Sequence, residues 1–339
     1  MKALAIASSH AIVWRMKNIR PFDKEKDYPG LVALENTLWP DSPTTEESYR
    51  RGDSSMPTRL HWGRFVAENA GVLVGQGWYG QWRDHPQKFW IDVKIHPDHQ
   101  RQGVGTALYE AVQTAIVPHN PILLKIGARE DIVARIAFFQ KQGFVELDRF
   151  WESRLNVETF DPCILHGAAD RVRTSGITIR TLADLADDSE RDRKIYDLDC
   201  LVSHDMPNVD PHVPLPFDEY KQRFSEKNHH FLPDAWFIAL DIKSEKYVGM
   251  STLSKPSLGD YLTTGLTGVL REYRGRGIAS ALKLRATLYA KEKNIPEIRT
   301  GNAQVNKEML AINEKMGFVK DPAWVYFNKE LAAETEVKD

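Results

Sequence analysis

Thr267-Gly268-Val269-Leu270-Arg271-Glu272-Tyr273-Arg274-Gly275-Arg276-Gly277-Ile278-Ala279 reads as a strand end, a basic glycine-rich turn and a helix start. A diverged copy stands upstream as Val93-Lys94-Ile95-His96-Pro97-Asp98-His99-Gln100-Arg101-Gln102-Gly103-Val104-Gly105. Gly277 follows Gly103 by 174 residues, and Gly317-Phe318 follows Gly143-Phe144 by the same 174. Two anchors at one offset indicate a tandem duplication, which resets the reading of the whole chain. The opening strand-like runs, Asn18-Ile19-Arg20 and Thr178-Ile179-Arg180, lie 160 apart, so the copies differ in length in their first halves.

The turn has a physical use. A helix N-terminus exposes unpaired N–H groups and a partial positive charge. Glycines let a phosphate approach the backbone, and Arg101, or Arg274 with Arg276, adds fixed positive charge. The combination suits a pyrophosphate. Neither copy has the Gly-Lys-Ser/Thr of a P-loop. Leu108 and Ser280 stand where a dinucleotide fingerprint needs a third Gly or Ala. For either copy alone, a plain strand-to-helix loop explains the glycines equally well.

The chain has 339 residues, which favours two domains, and a formal net charge of -2, unlike a nucleic-acid binder. Its longest apolar runs, such as Pro121-Ile122-Leu123-Leu124, are too short for a membrane span. Only Cys163 and Cys200 are present, which argues against a disulfide scaffold or a Cys-based zinc site and suits a reducing cytoplasm. Residues 1–15 read as a disordered extension, with Met16 an alternative start.

Hydrophobic periodicity places helices over Asp27–Leu38, Gly103–Ala115, Ile132–Gln142, Ser189–Val202, Phe217–Phe224, Gly277–Lys293 and Asn306–Lys315. A further helix starts at Thr44 to Glu47. On Ser189–Val202 the inward residues read as Ile195, Leu198 and Leu201. Strands fall at Phe65–Val74 as a hairpin, Phe89–Ile95, Ile122–Ile126, Val145–Leu155, Ile177–Arg180, Trp236–Leu240, Tyr247–Leu253, Tyr261–Leu270, Glu297–Thr300 and Val325–Phe327. Asp161 to Ser175, with Pro162 and Gly167, reads as a loop joining the copies, and His204 to Pro216 as a long Pro-rich loop.

The two turns resemble motif A of the GNAT acyltransferases, Gln/Arg-x-x-Gly-x-Gly/Ala. Gln100, Gly103 and Gly105 fill it in one copy; Arg274, Gly277 and Ala279 fill it in the other. The two Gly-Phe pairs resemble the end of motif B. The resemblance spans almost the whole chain. It implies an α/β (α+β) class with two tandem domains, 16–160 and 176–332, joined by a linker at 161–175 and followed by a tail at 333–339. Each domain would be a curved mixed sheet, splayed near its centre and flanked by helices. Acetyl-CoA, or another acyl-CoA, would lie in the splay. Its pantetheine arm would run along Val93 and Ile95 or Thr267 and Val269. Its pyrophosphate would sit on Gln100, Arg101, Gln102, Gly103, Val104, Gly105 and Thr106, or on Arg274, Gly275, Arg276, Gly277, Ile278, Ala279 and Ser280.

The copies are unequal. At the family's motif B Asn, which contacts CoA, stand Ile132 and Asn306; Asn302 lies in the same run. At its Tyr, the proton donor to the thiolate, stand Phe139 and Asn313. The second copy is therefore the expected cofactor site, although an Asn also suits a helix N-cap. Asn313 is expected to face the site. Amine attack on a thioester needs a base and an N–H donor to the carbonyl oxygen. Asp92 is the base candidate in the first copy, against the plain reading of an exposed strand acid, and Leu266 occupies its place in the second. A base in the second copy would come from His204, Asp205 or Glu219, and Tyr326 and Tyr261 are possible acids. Trp78, Tyr79, Trp82 and His85 in the first copy, and the His204 to Pro216 loop in the second, are candidates for an acceptor pocket. The expectation is an N-acetyltransferase acting in a ternary complex on a primary amine of a small molecule or protein. It needs no metal, nucleic acid or membrane, and works as a monomer or homodimer. The alternative is an acyl-CoA-binding regulatory or interaction protein. Aminoacyl or peptidoglycan-type transfer, which also uses tandem copies, predicts tRNA binding that the balanced charge does not support; a small amine-bearing thiol precursor, as in mycothiol synthase, stays open as acceptor.

Overall fold

The computed structural model describes residues 19–165, 167–207, 213–225 and 228–331. The expected extension at 1–15, the tail at 333–339 and the middle of the Pro-rich loop lie outside them. In chain order the first half runs β1 (Ile19–Pro21), α1 (Tyr28–Leu38), α2 (Glu46–Ser54), β2 (Trp62–Asn69), β3 (Val72–Gln81), β4 (Lys88–Ile95), α3 (Val104–Ile116), β5 (Leu123–Arg129), α4 (Val133–Lys141) and β6 (Val145–Asn156). The second half runs α5 (Ala168–Thr174), β7 (Ile177–Thr181), α6 (Arg191–His204), α7 (Phe217–Lys221), β8 (Phe231–Asp241), β9 (Tyr247–Ser254), β10 (Tyr261–Val269), α8 (Ile278–Glu292), β11 (Glu297–Ala303), α9 (Lys307–Met316), β12 (Val319–Lys320) and β13 (Trp324–Glu330).

The chain forms two compact units. One comprises Met1–Leu147 with Val325–Asp339, the other Asp148–Trp324. The strand that ends the second copy in sequence therefore serves the first unit, and most of β6, which ends the first copy, serves the second. In the first unit the strand order is β1-β2-β3-β4-β5-β13. Val325 and Phe327 are fully buried there, in one core with Phe89, Leu108, Tyr109 and Phe139. In the second unit the order is β6-β11-β10-β9-β8-β7, and Leu155 of β6 is buried in its core.

Both sheets part at the same place. β4 pairs parallel with β5 only through Lys88, Phe89 and Trp90, and β10 pairs parallel with β11 only through Tyr261, Leu262 and Thr263. Beyond those residues the strands diverge, which is the expected splay. The two are not identical. The β3–β4 register runs unbroken from Gly75↔Ile95 to Gln81↔Phe89, whereas β9–β10 shifts between Thr264 and Thr267. A bulge there fits the sequence. A Cβ on Gly265 would meet Thr252 Oγ1 at 2.5 Å, and that same hydroxyl accepts the Leu266 N–H at 3.2 Å.

Gly143 and Gly317 end α4 and α9 at φ 85 and 90, the left-handed conformation that closes a helix without a Cβ penalty. Two expectations fail. The join between the copies is not all loop: Gly167 turns left-handed at φ 78 and opens α5, whose Ala168 and Val172 are buried. Leu201 is 56% exposed. The buried stripe of α6 is Ile195, Leu198, Asp199 and Val202, the acid being held by Tyr220 Oη at 2.9 Å and Ser203 Oγ at 3.2 Å. Among the described residues no helix is long and apolar enough to cross a membrane.

Candidate functional site

The second turn is built from the end of β10 and the start of α8. Gly275 and Gly277 both take positive φ, 77 and 81, and Gly277 is the residue before the first helical turn. The orphan N–H groups of Ile278, Ala279 and Ser280 therefore open toward the turn. Arg274 ties it to the strand: its Nε donates to the Val269 carbonyl at 3.0 Å, and Nη2 meets Asp205 Oδ2 at 3.0 Å. Arg271 Nε reaches the same oxygen at 2.7 Å. The Arg271 hydrogen bond holds the Asp205 carboxyl below the usual carboxylate range.

A cavity of about 380 Å³ opens beside this turn. Its walls are Thr267, Gly268 and Val269 of β10, the turn residues Arg274, Gly275, Gly277, Ile278, Ala279 and Ser280, and Asn306 before α9. Glu308, Met309 and Ile312 of α9, Tyr273, Val202 of α6, and Asp205, Met206 and Pro207 complete it. The described start of the Pro-rich loop is thus part of the site. Gly268 has to be glycine, because a Cβ there would stand 1.9 Å from Val202 Cγ1.

Most residues expected in the second copy meet here. Asn306 lines the cavity, and its Oδ1 also caps α9 by accepting the Met309 N–H at 3.3 Å. Arg276 turns away: its Nη2 donates to the Glu272 carbonyl at 3.0 Å and its guanidinium covers the Tyr273 ring. Asn313 is buried at 2% and bonds Asn302, Nδ2 to Oδ1, at 2.7 Å; neither side chain lines the cavity. His204 is the exposed last residue of α6 rather than a loop residue. Tyr326 lies in the first unit, edge-on to Trp90 with ring centroids 5.7 Å apart. The cavity residues on α6 and α9 were not predicted, because helix periodicity reports a core face and not a cavity wall.

The first turn shares the framework. Gly103 and Arg101 have positive φ, 87 and 60, and Gln100 Nε2 donates to the Ile95 carbonyl at 3.4 Å, the counterpart of the Arg274 to Val269 bond. Gln102 Nε2 bonds the Asp98 carbonyl at 3.1 Å. Val93 and Val104 are core residues, and Gly105 and Thr106 begin α3. At the motif B positions Ile132 makes no side-chain cap, and Phe139 is packed edge-on against Tyr109, Phe138 and Phe144. Asp92 pairs with Arg135 and, at 3.2 Å, with Lys94 Nζ. Burial alone would raise its carboxyl; the Lys94 and Arg135 charges outweigh that and hold it below the ordinary range. A carboxylate so held is a weak base.

A second cavity in this unit, about 370 Å³, is lined by Glu35, Trp39, Tyr49, Asp53, Arg64 and Trp78 among others. Of the four side chains expected at an acceptor pocket only Trp78 is there. Trp82 stacks on Trp90 instead, and the buried Lys125 ammonium lies over both rings and that of Tyr326. Among the described residues no group of three His, Cys, Asp or Glu side chains is placed to hold a metal ion.

The family model for the acetyltransferase (GNAT) family matches residues 31–144 and 196–318. Among solved structures the chain is similar to a tandem GNAT protein from the clavulanic acid biosynthesis pathway, at 18% identity, covering 92% of this chain and 98% of that one, with a TM-score of 0.72. It is also similar to a GCN5-related N-acetyltransferase from Sphaerobacter thermophilus, at 17% identity, covering 92% and 95%, with a TM-score of 0.68. At those identities the likeness is one of fold. A search of curated protein sequences gave no significant match.

Proposed function

Because the chain belongs to the acetyltransferase (GNAT) family, we propose that it moves an acetyl group from acetyl-CoA to a primary amine of a small molecule or protein. The second unit is the working site. The observation that carries this is the cavity beside Gly275 and Gly277, which joins a helix N-terminus, the stretch of β10 that has parted from β11 and Asn306 in one space. The fit is chemical. The turn offers free amides and arginine charge to a diphosphate, and β10 beyond Thr263 offers backbone to an extended amide-bearing arm.

Bound there, acetyl-CoA supplies an acyl group already activated as a thioester. The amine nitrogen bonds to the carbonyl carbon, the C–S bond breaks, and the thiolate takes up a proton. This chain's part is to hold the donor at the turn and along β10, whose end, parted from β11, offers a strand N–H near Val269 to the carbonyl oxygen. Leu266 stands where the first copy has Asp92, so the ammonium proton leaves to water rather than to a strand carboxylate.

A second reading holds for the first unit, as an acyl-CoA-binding or interaction module without turnover. Phe139 fills the family's acid position with core, and Asp92 is committed to Lys94 and Arg135. Release of CoA against a panel of amines tests both readings. Turnover lost on Arg274→Ala and kept on Gln100→Ala supports the assignment. Acetyl-CoA binding without turnover on any amine would sink the enzyme reading and leave the binding one.

A further inference from the structure

We infer that Arg171, on the helix between the two copies, completes the anion site of the second turn and binds a phosphoryl group of the cofactor. The inference rests on the reading that this turn takes acyl-CoA. α5 is docked by its apolar side, since Ala168 and Val172, one turn apart, are both buried in the core of the second unit. Docking brings the exposed Arg171 side chain beside the turn. A Cβ built on Gly277 would stand 3.2 Å from Arg171 Nε and 3.5 Å from Nη2, so the guanidinium lies against the backbone of the turn itself.

The charges there do not balance. Asp205 is taken by Arg271 and Arg274, Glu272 pairs with Lys246, and Asp170 pairs with Arg173. Among the described residues no carboxylate pairs with Arg171. Its charge sits at the positive end of α8, where the helix dipole repels a cation and favours an anion. Such a placement is adverse in the empty protein and useful once a phosphoryl group arrives. A guanidinium offers that group a fork of N–H donors as well as charge. The cation comes from outside both glycine motifs, which is why motif reading does not find it.

Calorimetric titration of the full chain with CoA and with dephospho-CoA tests this. Arg171→Ala should weaken CoA about 5- to 10-fold, the loss of one charge-assisted contact, with Arg171→Lys between the two. The exposed Arg173→Ala on the same helix should leave affinity unchanged, and melting temperatures report whether α5 stays docked. An equal loss for both ligands assigns Arg171 to the diphosphate; a loss seen with CoA alone assigns it to the 3′-phosphate. Unchanged affinity for both ligands overturns the inference while leaving the site. If the wild-type chain binds neither ligand, the reading beneath it fails as well.

Discussion

Gly277→Ala, compared with Gly103→Ala, separates what a left-handed turn does for the fold from what it does for a ligand. The two glycines hold nearly the same backbone, φ 81 and φ 87, at the same point of the repeat. An L-residue in that region costs about 1–2 kcal/mol, and the stiffer unfolded chain returns about 0.4–1 kcal/mol. Each variant should therefore lose up to roughly 1.6 kcal/mol, a fall of up to about 6 °C in melting temperature for units of this size. The new methyl on residue 277 would stand 3.2 Å from Arg171 Nε, the mobile end of a long side chain, so it adds little to that cost. Binding should differ. A methyl at residue 277 stands where a phosphate must approach the amides of α8, so acetyl-CoA affinity should fall by an order of magnitude or more. Gly103→Ala should melt as early and bind as the wild type. Differential scanning calorimetry and titration on the same samples read both quantities. Normal binding by Gly277→Ala together with lost binding by Gly103→Ala would refute the assignment of the working site.

Three further outcomes follow from the packing and the charges. Phe327→Ala should destabilise the first unit by about 3–5 kcal/mol; hydrogen exchange should quicken in Lys88–Ile95 and Leu123–Arg129 and hold in Tyr261–Val269, and the reverse pattern would contradict the division of the chain. Lys283, buried on α8 over the Phe318 ring, has its ammonium pushed down to about 8 by burial. The unfolded chain then binds the extra proton between that value and 10.5, so stability should rise with pH across this window by up to roughly 3 kcal/mol. Lys283→Met should flatten the rise and raise stability at neutral pH, as urea unfolding at several pH values would read; a rise that persists in the variant counts against burial as its cause. Asp92, held below its ordinary 3.8, stabilises the first unit above that value and loses the contribution as pH falls through the lower folded value. Asp92→Asn should lower stability by about 1–3 kcal/mol near neutrality by leaving Arg135 short of its partner, and should shallow the acid limb; an unchanged acid limb would show that another carboxylate controls it.

The periodic helices and the two glycine turns were legible in the sequence because each depends on local pattern, a 3.6-residue stripe or a glycine where φ must be positive; the splay of the sheets came only with the family resemblance. The exchange of the closing strands was not. Val145–Asn156 and Trp324–Glu330 both read as strands, and a strand pattern says which face is buried but not which sheet receives it. The helix Ala168–Thr174 was hidden by Pro162 and Gly167, which punctuate a chain without saying whether a helix or a loop follows. Leu201 and Asn313 fail for a related reason. On α6 the buried stripe admits Asp199 because Tyr220 and Ser203 bond it, and on α9 it admits Asn313 because Asn302 does. A buried polar residue depends on a partner distant in sequence, and single-helix periodicity does not contain that partner.

The same limit bears on where the chemistry resides. The sequence pointed to side chains: Asp92, Asn313, His204, Tyr326. The structure commits the first to an ion pair, buries the second against Asn302, leaves the third exposed at a helix end and puts the fourth in the other unit. Both units offer the amides that follow a left-handed glycine; what distinguishes the second is strand backbone, with a bulge at Gly265-Leu266 held by Thr252 and a Gly268 too close to Val202 to carry any side chain. Donors fixed in this way need no reorganisation as charge develops on a carbonyl oxygen. Substituting single titratable residues should therefore shift the pH profile more than it lowers the rate, whereas Gly268→Val, which drives a side chain into α6 and the cavity wall, should abolish turnover. If Gly268→Val turned over normally while a single acid-to-amide change abolished activity, a side chain would have to carry the chemistry after all.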